Sequence, residues 1–157
     1  MRRILVFVAL ALIGAASAES EYAKVNDFNV SFDLNQTHDT VIDTDDGING
    51  SVTIRAFDGS VTYNLVRYPK PLSLNSTWLR DNLIALPTNG VPAEQIEIDK
   101  QQGIFIISMS NDTGEPIYGA IYYPEIQSGK ANTFVSITST LPIYTTVDLL
   151  KTMHVAV

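Results

Sequence analysis

The 157-residue chain has no cysteine, only two histidines, His38 and His154, and a single tryptophan, Trp78. Without cysteine no disulfide can close the fold and no lipid can be carried on a thiol, so burial of apolar side chains must hold the domain together. Two histidines and no thiolate are too few for the His and Cys ligand sets of zinc centres. Basic residues are also scarce, ten Lys and Arg against seventeen Asp and Glu. Nucleic acid and anionic membrane surfaces attract positive charge, so neither is an expected partner. There is no Gly-x-Ser-x-Gly elbow and no glycine-rich phosphate loop. Long apolar runs are missing too, with one exception at the start of the chain.

That exception is Ile4 to Ala18, fifteen residues with no charge. A spanning helix needs about 20 apolar residues, so this run is too short to remain in a bilayer. Arg2 and Arg3 precede it, Ala16-Ser17-Ala18 ends it with small side chains, and Glu19 follows. A basic start, an apolar middle and a small-residue end are the parts of a secretory signal peptide in order. The expectation is a signal over residues 1–18, cleavage after Ala18, and an extracellular or cell-surface product with no stable membrane insertion after cleavage. An uncleaved N-terminal anchor is the competing reading. Residues 19–157 then form a single globular domain with eight basic and seventeen acidic residues, a formal charge of −9.

Five sequons occur, at Asn29, Asn35, Asn49, Asn75 and Asn111. With this composition about two would arise by chance. Most fall on expected polar faces or turns, as glycan acceptors must, although Asn75 also suits a helix cap. Glycosylation would place the protein at an archaeal or eukaryotic cell surface.

Hydropathy period sets the expected elements. Phe28, Val30, Phe32 and Leu34 alternate with polar residues, which is a half-buried strand. A brief strand is expected at Val41-Ile42. Ser51–Phe57 and Ser60–Tyr68 flank Asp58-Gly59 and predict a hairpin that Pro69 and Pro71 stop. Leu74, Trp78, Leu79, Leu83 and Leu86 recur at helical spacing, ended by Pro87, Asn89-Gly90 and Pro92. Ile96 and Ile98 mark a strand turned by Gln102-Gly103. Ile104–Met109 and Ile117–Tyr123 are apolar on both faces and must be covered on both. Thr133–Thr140 is a further strand. Thr145-x-x-Asp148 is a capping box for a helix over about Thr146–Met153, and His154–Val157 adds extended residues. The fold class is α+β: a mainly antiparallel sheet of about seven strands covered by two helices.

The Asp58-Gly59 hairpin, the Trp78 helix, the antiparallel meander and the close from Phe134-Val135-Ser136-Ile137 to Leu149-Leu150-Lys151-Thr152-Met153-His154-Val155 resemble the Mog1/PsbP-like fold. The segments Val30-Ser31-Phe32-Asp33-Leu34 and Tyr118-Gly119-Ala120-Ile121-Tyr122-Tyr123-Pro124, together with that close, are similar to short exported proteins of unknown function from methanogenic archaea. The likeness spans most of residues 25–155. It implies a sandwich architecture and a binding or accessory role, and it carries over no functional residue.

Chemistry-bearing residues are sparse. Asp43, Asp45, Asp46 and Asn49 have oxygens at loop spacing, which suits a hard cation such as calcium, with Asp39 nearby. Ile54 stands where an EF-hand loop would want its bidentate Glu, so a solvated acidic turn accounts for the same residues. His38 lies beside Asp39, and His154 follows a helix end where a cation is favourable. No catalytic or cofactor-binding residue is assigned. Tyr63, Tyr68, Trp78, Tyr118, Tyr122, Tyr123, Phe134 and Tyr144 either pack the core, as most of their spacing implies, or line a groove for a ligand such as a sugar. Three functions stay open. The favoured one is a non-catalytic binding or accessory module for an extracellular ligand, which requires a concave patch with exposed aromatics. The others are a structural cell-envelope component and a hydrolase using paired carboxylates or His38 with a hydroxyl. A cleft gathering titratable groups over an apolar floor would favour the last.

Overall fold

The computed structural model describes residues 21–44, 48–88 and 90–156. The signal segment 1–18 with its cleavage point after Ala18, and Asp45 and Asp46 of the acidic loop, lie outside the described residues. The strands are β1 (Glu21–Val25), β2 (Phe28–Phe32), β3 (His38–Thr44), β4 (Gly50–Ala56), β5 (Gly59–Ser73), β6 (Ala93–Ile98), β7 (Gln101–Met109), β8 (Pro116–Tyr122), β9 (Lys130–Ser139) and β10 (His154–Ala156). The helices are α1 (Trp78–Thr88) and α2 (Ile143–Thr152).

Seven strands form one sheet in the order β3-β4-β5-β9-β8-β7-β6, and β1-β2-β10 form a second. Every pairing is antiparallel. Two hairpin-linked meanders, β3 to β5 and β6 to β9, meet where β5 pairs with β9, and α1 carries the chain from that centre to the far edge. This is the α+β class with a seven-stranded antiparallel sheet that the patterning predicts.

One apolar core lies between the layers. Period-2 alternation puts Val52 and Ile54, Val61, Tyr63 and Leu65, Val135 and Ile137, Ala120 and Tyr122, and Phe105 on one face of the large sheet. Phe28, Val30 and Phe32 of β2 and Leu149, Leu150 and Met153 of the α2 segment meet them from the other layer. Each such side chain contributes about 1.5–3 kcal/mol by leaving water. The second face of the large sheet is partly covered. Ile104 of β7, a strand that α1 contacts, is fully buried there, while Trp78 meets Tyr123 edge-on at 5.2 Å and Tyr123 meets Phe134 tilted at 5.4 Å. The two-faced strands are thus covered only in part, and Met109 at the end of β7 stays 61% exposed.

Arg67 bolts the layers together. Its guanidinium lies 5.0 Å over the Phe28 ring and 3.2 Å from Asp27, while its backbone N–H donates to Asn49 Oδ1 at 2.9 Å. The Asn49 carbonyl in turn accepts from Asn26, the turn residue between β1 and β2.

Several local expectations differ from the structure. The β4–β5 turn is Phe57-Asp58, one residue earlier than Asp58-Gly59, because Ala56 pairs with Gly59. Pro69 and Pro71 do not end β5. They sit where its register with β9 shifts between Arg67 and Leu72, a bulge that needs no N–H from them. The β6–β7 turn is Asp99-Lys100, both at positive φ, and Gly103 lies inside β7 against Tyr122. The Thr145–Asp148 capping box does not form. The helix starts at Ile143 after Pro142, no side chain caps it, and Asp148 pairs with Lys151 instead.

Candidate functional site

The β2 strand runs out at Phe32, and residues 33–37 cross towards α2. The segment is held there by Thr152, whose hydroxyl accepts the Asp33 N–H at 3.3 Å. α2 turns Thr146, Leu149 and Leu150 inward, so helical spacing leaves Tyr144, Thr145 and Asp148 on the other side. Between the two lies a groove of about 290 Å³ lined by Asp33, Leu34, Asn35, Gln36, Tyr144, Thr145, Asp148 and Leu149. Tyr144 is 84% exposed. Asp33 Oδ1 is buried and has no hydrogen-bond partner among the described residues. Gln36 donates to Asp58 at 3.0 Å, which brings the β4–β5 turn to the groove's edge, where Phe57 is fully exposed at 102%. The exposed Tyr144 ring, the Asp33 and Asp148 side chains and two amides thus line one groove, with exposed Phe57 in the turn at its edge. Of the eight aromatics expected to pack or bind, Tyr63 and Tyr122 are core and Tyr144 is in solvent.

A second, larger cleft of about 490 Å³ is lined by Glu97, Asp99, Lys100, Lys151, Thr152, Met153 and His154. Asp99 projects from the β6–β7 turn and is almost buried. One carboxylate oxygen takes His154 Nδ1 at 2.5 Å and the other accepts the Val155 N–H at 3.0 Å. A proton on Nδ1 leaves Nε2 as the acceptor, the orientation a general base requires. Behind Asp99 stands the Tyr122 hydroxyl, fully buried and without a hydrogen-bond partner of good geometry among the described residues. Burial first, and the Asp99 charge second, push its pKa far up. Among the described residues Thr152 supplies the only hydroxyl lining the cleft. It is bonded to the Leu149 carbonyl and the Asp33 N–H and does not meet His154. This cleft gathers titratable groups around buried Met153, the arrangement that raises the enzyme reading. Asp99 is hidden in the sequence because Gln102-Gly103 carries the stronger local turn signal.

His38 makes no such site. Its ring is buried, packs edge-on to Phe32 at 5.7 Å, and bonds the Gln36 carbonyl at 2.7 Å and Glu21 at 2.9 Å. It ties β1 to the start of β3, and no hydroxyl bonds it.

Of the candidate calcium residues, Asp43 is exposed at the end of β3, and Asn49 Oδ1 accepts from the Arg67 N–H. Both border a depression of about 410 Å³ with Gly50, Ser51, Asn64, Leu65 and Val66. Among the described residues no group of three or more His, Asp or Glu side chains could hold a metal ion.

The sequons divide by exposure. Asn29, Asn35, Asn75 and Asn111 are exposed, on β2, in the groove wall, before α1 and in the β7–β8 turn respectively. Asn75 Oδ1 also accepts the Thr77 N–H at 3.2 Å, the cap alternative expected of it. Asn49 is half-buried in its bonds to Arg67 and Asn26.

Among the described residues no helix is long and apolar enough to cross a membrane. No protein-family model, no curated protein and no solved structure matches this chain.

Proposed function

We propose that residues 19–157 are an exported, glycosylated, non-catalytic binding module, a Mog1/PsbP-like sandwich that works at the cell surface or outside it. Its ligand is a carbohydrate, held in the groove between the Asp33–Gln36 segment and α2. The observation that carries this reading is the groove itself, with the Asp33 side chain in its wall. Around it, Asn35 and Gln36 offer amides, Asp148 a second carboxylate and Tyr144 an exposed ring face. Sugars present hydroxyls at their edges and C–H groups on their faces, which these groups complement. The export signal supports the location, and four exposed sequons support the glycans.

Calorimetric titration with mannotriose, cellotriose and chitotriose tests the reading. Binding of at least one, lost in Tyr144→Ala and in Asp33→Asn, is the expected result. Absence of binding to all three, or binding that both variants retain, overturns it.

The Asp99–His154 pair favours a second reading, a hydrolase in which His154 Nε2 takes a proton from water. Turnover of ester or glycoside substrates that disappears in His154→Gln and Asp99→Asn would replace the first reading with this one.

A further inference from the structure

The two outer strands of the large sheet are treated differently. At one end β6 lies under α1. At the other end β3 pairs with β4 alone, and its far edge has no strand partner among the described residues. Every side chain from Asp39 to Thr44 is exposed, on both faces. Val41 and Ile42, on opposite faces, are 41% and 45% exposed. An outer strand of this length presents alternate N–H and C=O groups ready to pair with another chain.

Its charge decides which chain. Residues 39, 41 and 43 share one face and read Asp-Val-Asp, while 40, 42 and 44 read Thr-Ile-Thr. If a second copy paired antiparallel about Val41, Asp39 of each chain would face Asp43 of the other. Like charges directly opposite are destabilising in a ladder, and the formal charge of −9 over residues 19–157 adds to the repulsion. The acids that oppose a second copy in that register favour a strand of opposite sign in the same register.

We infer that β3 is a docking edge for an extended, basic segment of another protein, which adds as an eighth strand to the large sheet. The matching sequence carries Lys or Arg four residues apart, opposite Asp39 and Asp43, with an apolar residue midway against Val41. Backbone bonds supply the pairing, and the two charge pairs set register and partner choice. This site begins just after the groove's Asp33–Gln36 wall in sequence, but it is the edge of β3 and does not depend on the groove's ligand.

Two seven-residue peptides of threonine and valine test it, one with lysines four residues apart and one with glutamates at the same positions. The lysine peptide is expected to bind, to shift the backbone amides of Asp39–Asp43, and to weaken as salt is raised. The glutamate peptide is expected to bind at least about tenfold more weakly. In the doubly charge-reversed variant Asp39→Lys with Asp43→Lys, whose side chains are exposed, the preference inverts. Equal binding of the two peptides, failure of the lysine peptide to bind, or a preference that survives charge reversal overturns the inference. So does sedimentation showing that the unmodified protein dimerises through β3.

Discussion

Asp99 holds His154 and the Val155 backbone N–H together, joining the turn of the large sheet's outer hairpin to the last strand of the small one. The contact spans 56 residues of sequence and closes one end of the sandwich. Asp99→Ala leaves the Val155 N–H without its acceptor and is predicted to destabilise the domain by about 1–3 kcal/mol. Asp99→Asn keeps an oxygen for that N–H and should lose less. Urea denaturation of the three proteins checks the order. Equal stabilities would mean that the contact is incidental.

The buried tyrosines give the domain an alkaline limit. Burial raises the pKa of Tyr63, and burial assisted by the Asp99 charge raises that of Tyr122, both far above the ordinary tyrosine value of about 10. The unfolded chain therefore releases these protons first. Stability from this source is whole below pH 10 and is lost as pH rises beyond it, by about 1.4 kcal/mol per pH unit for each ring. Tyr63→Phe should remove its share of that slope. Because it also deletes a buried hydroxyl with no partner, it should raise stability at neutral pH by about 1 kcal/mol. Chemical denaturation from pH 8 to 11 measures both effects.

The β6–β7 hairpin carries two opposite predictions. Lys100 sits at a φ of 60°, where a side chain costs about 1–2 kcal/mol and glycine is at ease, so Lys100→Gly should stabilise. Gly103 has no room: an added Cβ would stand 2.9 Å from the Ile121 carbonyl oxygen and 2.9 Å from Ile98 Cδ1. Gly103→Ala should cost about 1–3 kcal/mol. Thermal melts of both variants check the signs.

Much of the scaffold could be read from residue periods. β2, β7, β8 and β9 announce themselves by alternation or by two-faced apolar runs, and the stripe through Trp78, Leu79, Leu83 and Leu86 announces α1. β1 did not, because Glu21–Val25 buries only Ala23 and Val25. Local turn chemistry misled in two places. Asp58-Gly59 looked like the turn, yet the strand pairing shifts it by one residue. Gln102-Gly103 looked like a turn, yet Gly103 is needed for close approach to Tyr122. The sites were harder still. Asp33 reads as the polar face of a strand, and only its docking on Thr152, 119 residues away, sets it in one groove wall with Tyr144. Such juxtapositions are long-range products of the fold, which no local window contains.

Mass spectrometry of the native protein is predicted to find an N-terminus at Glu19. It should find glycan on one or more of Asn29, Asn35, Asn75 and Asn111, and none on half-buried Asn49. A chain beginning at Met1 would remove the export reading, and a glycan on Asn49 would contradict its packing against Arg67.

Nuclear magnetic resonance mapping of a sugar titration tests the binding reading most directly. With mannotriose, cellotriose or chitotriose, the account predicts amide shifts concentrated at Asn35, Gln36, Tyr144, Thr145 and Asp148. Shifts confined to Glu97, Lys100, Lys151 and His154, or no shifts with any of the three, would contradict it.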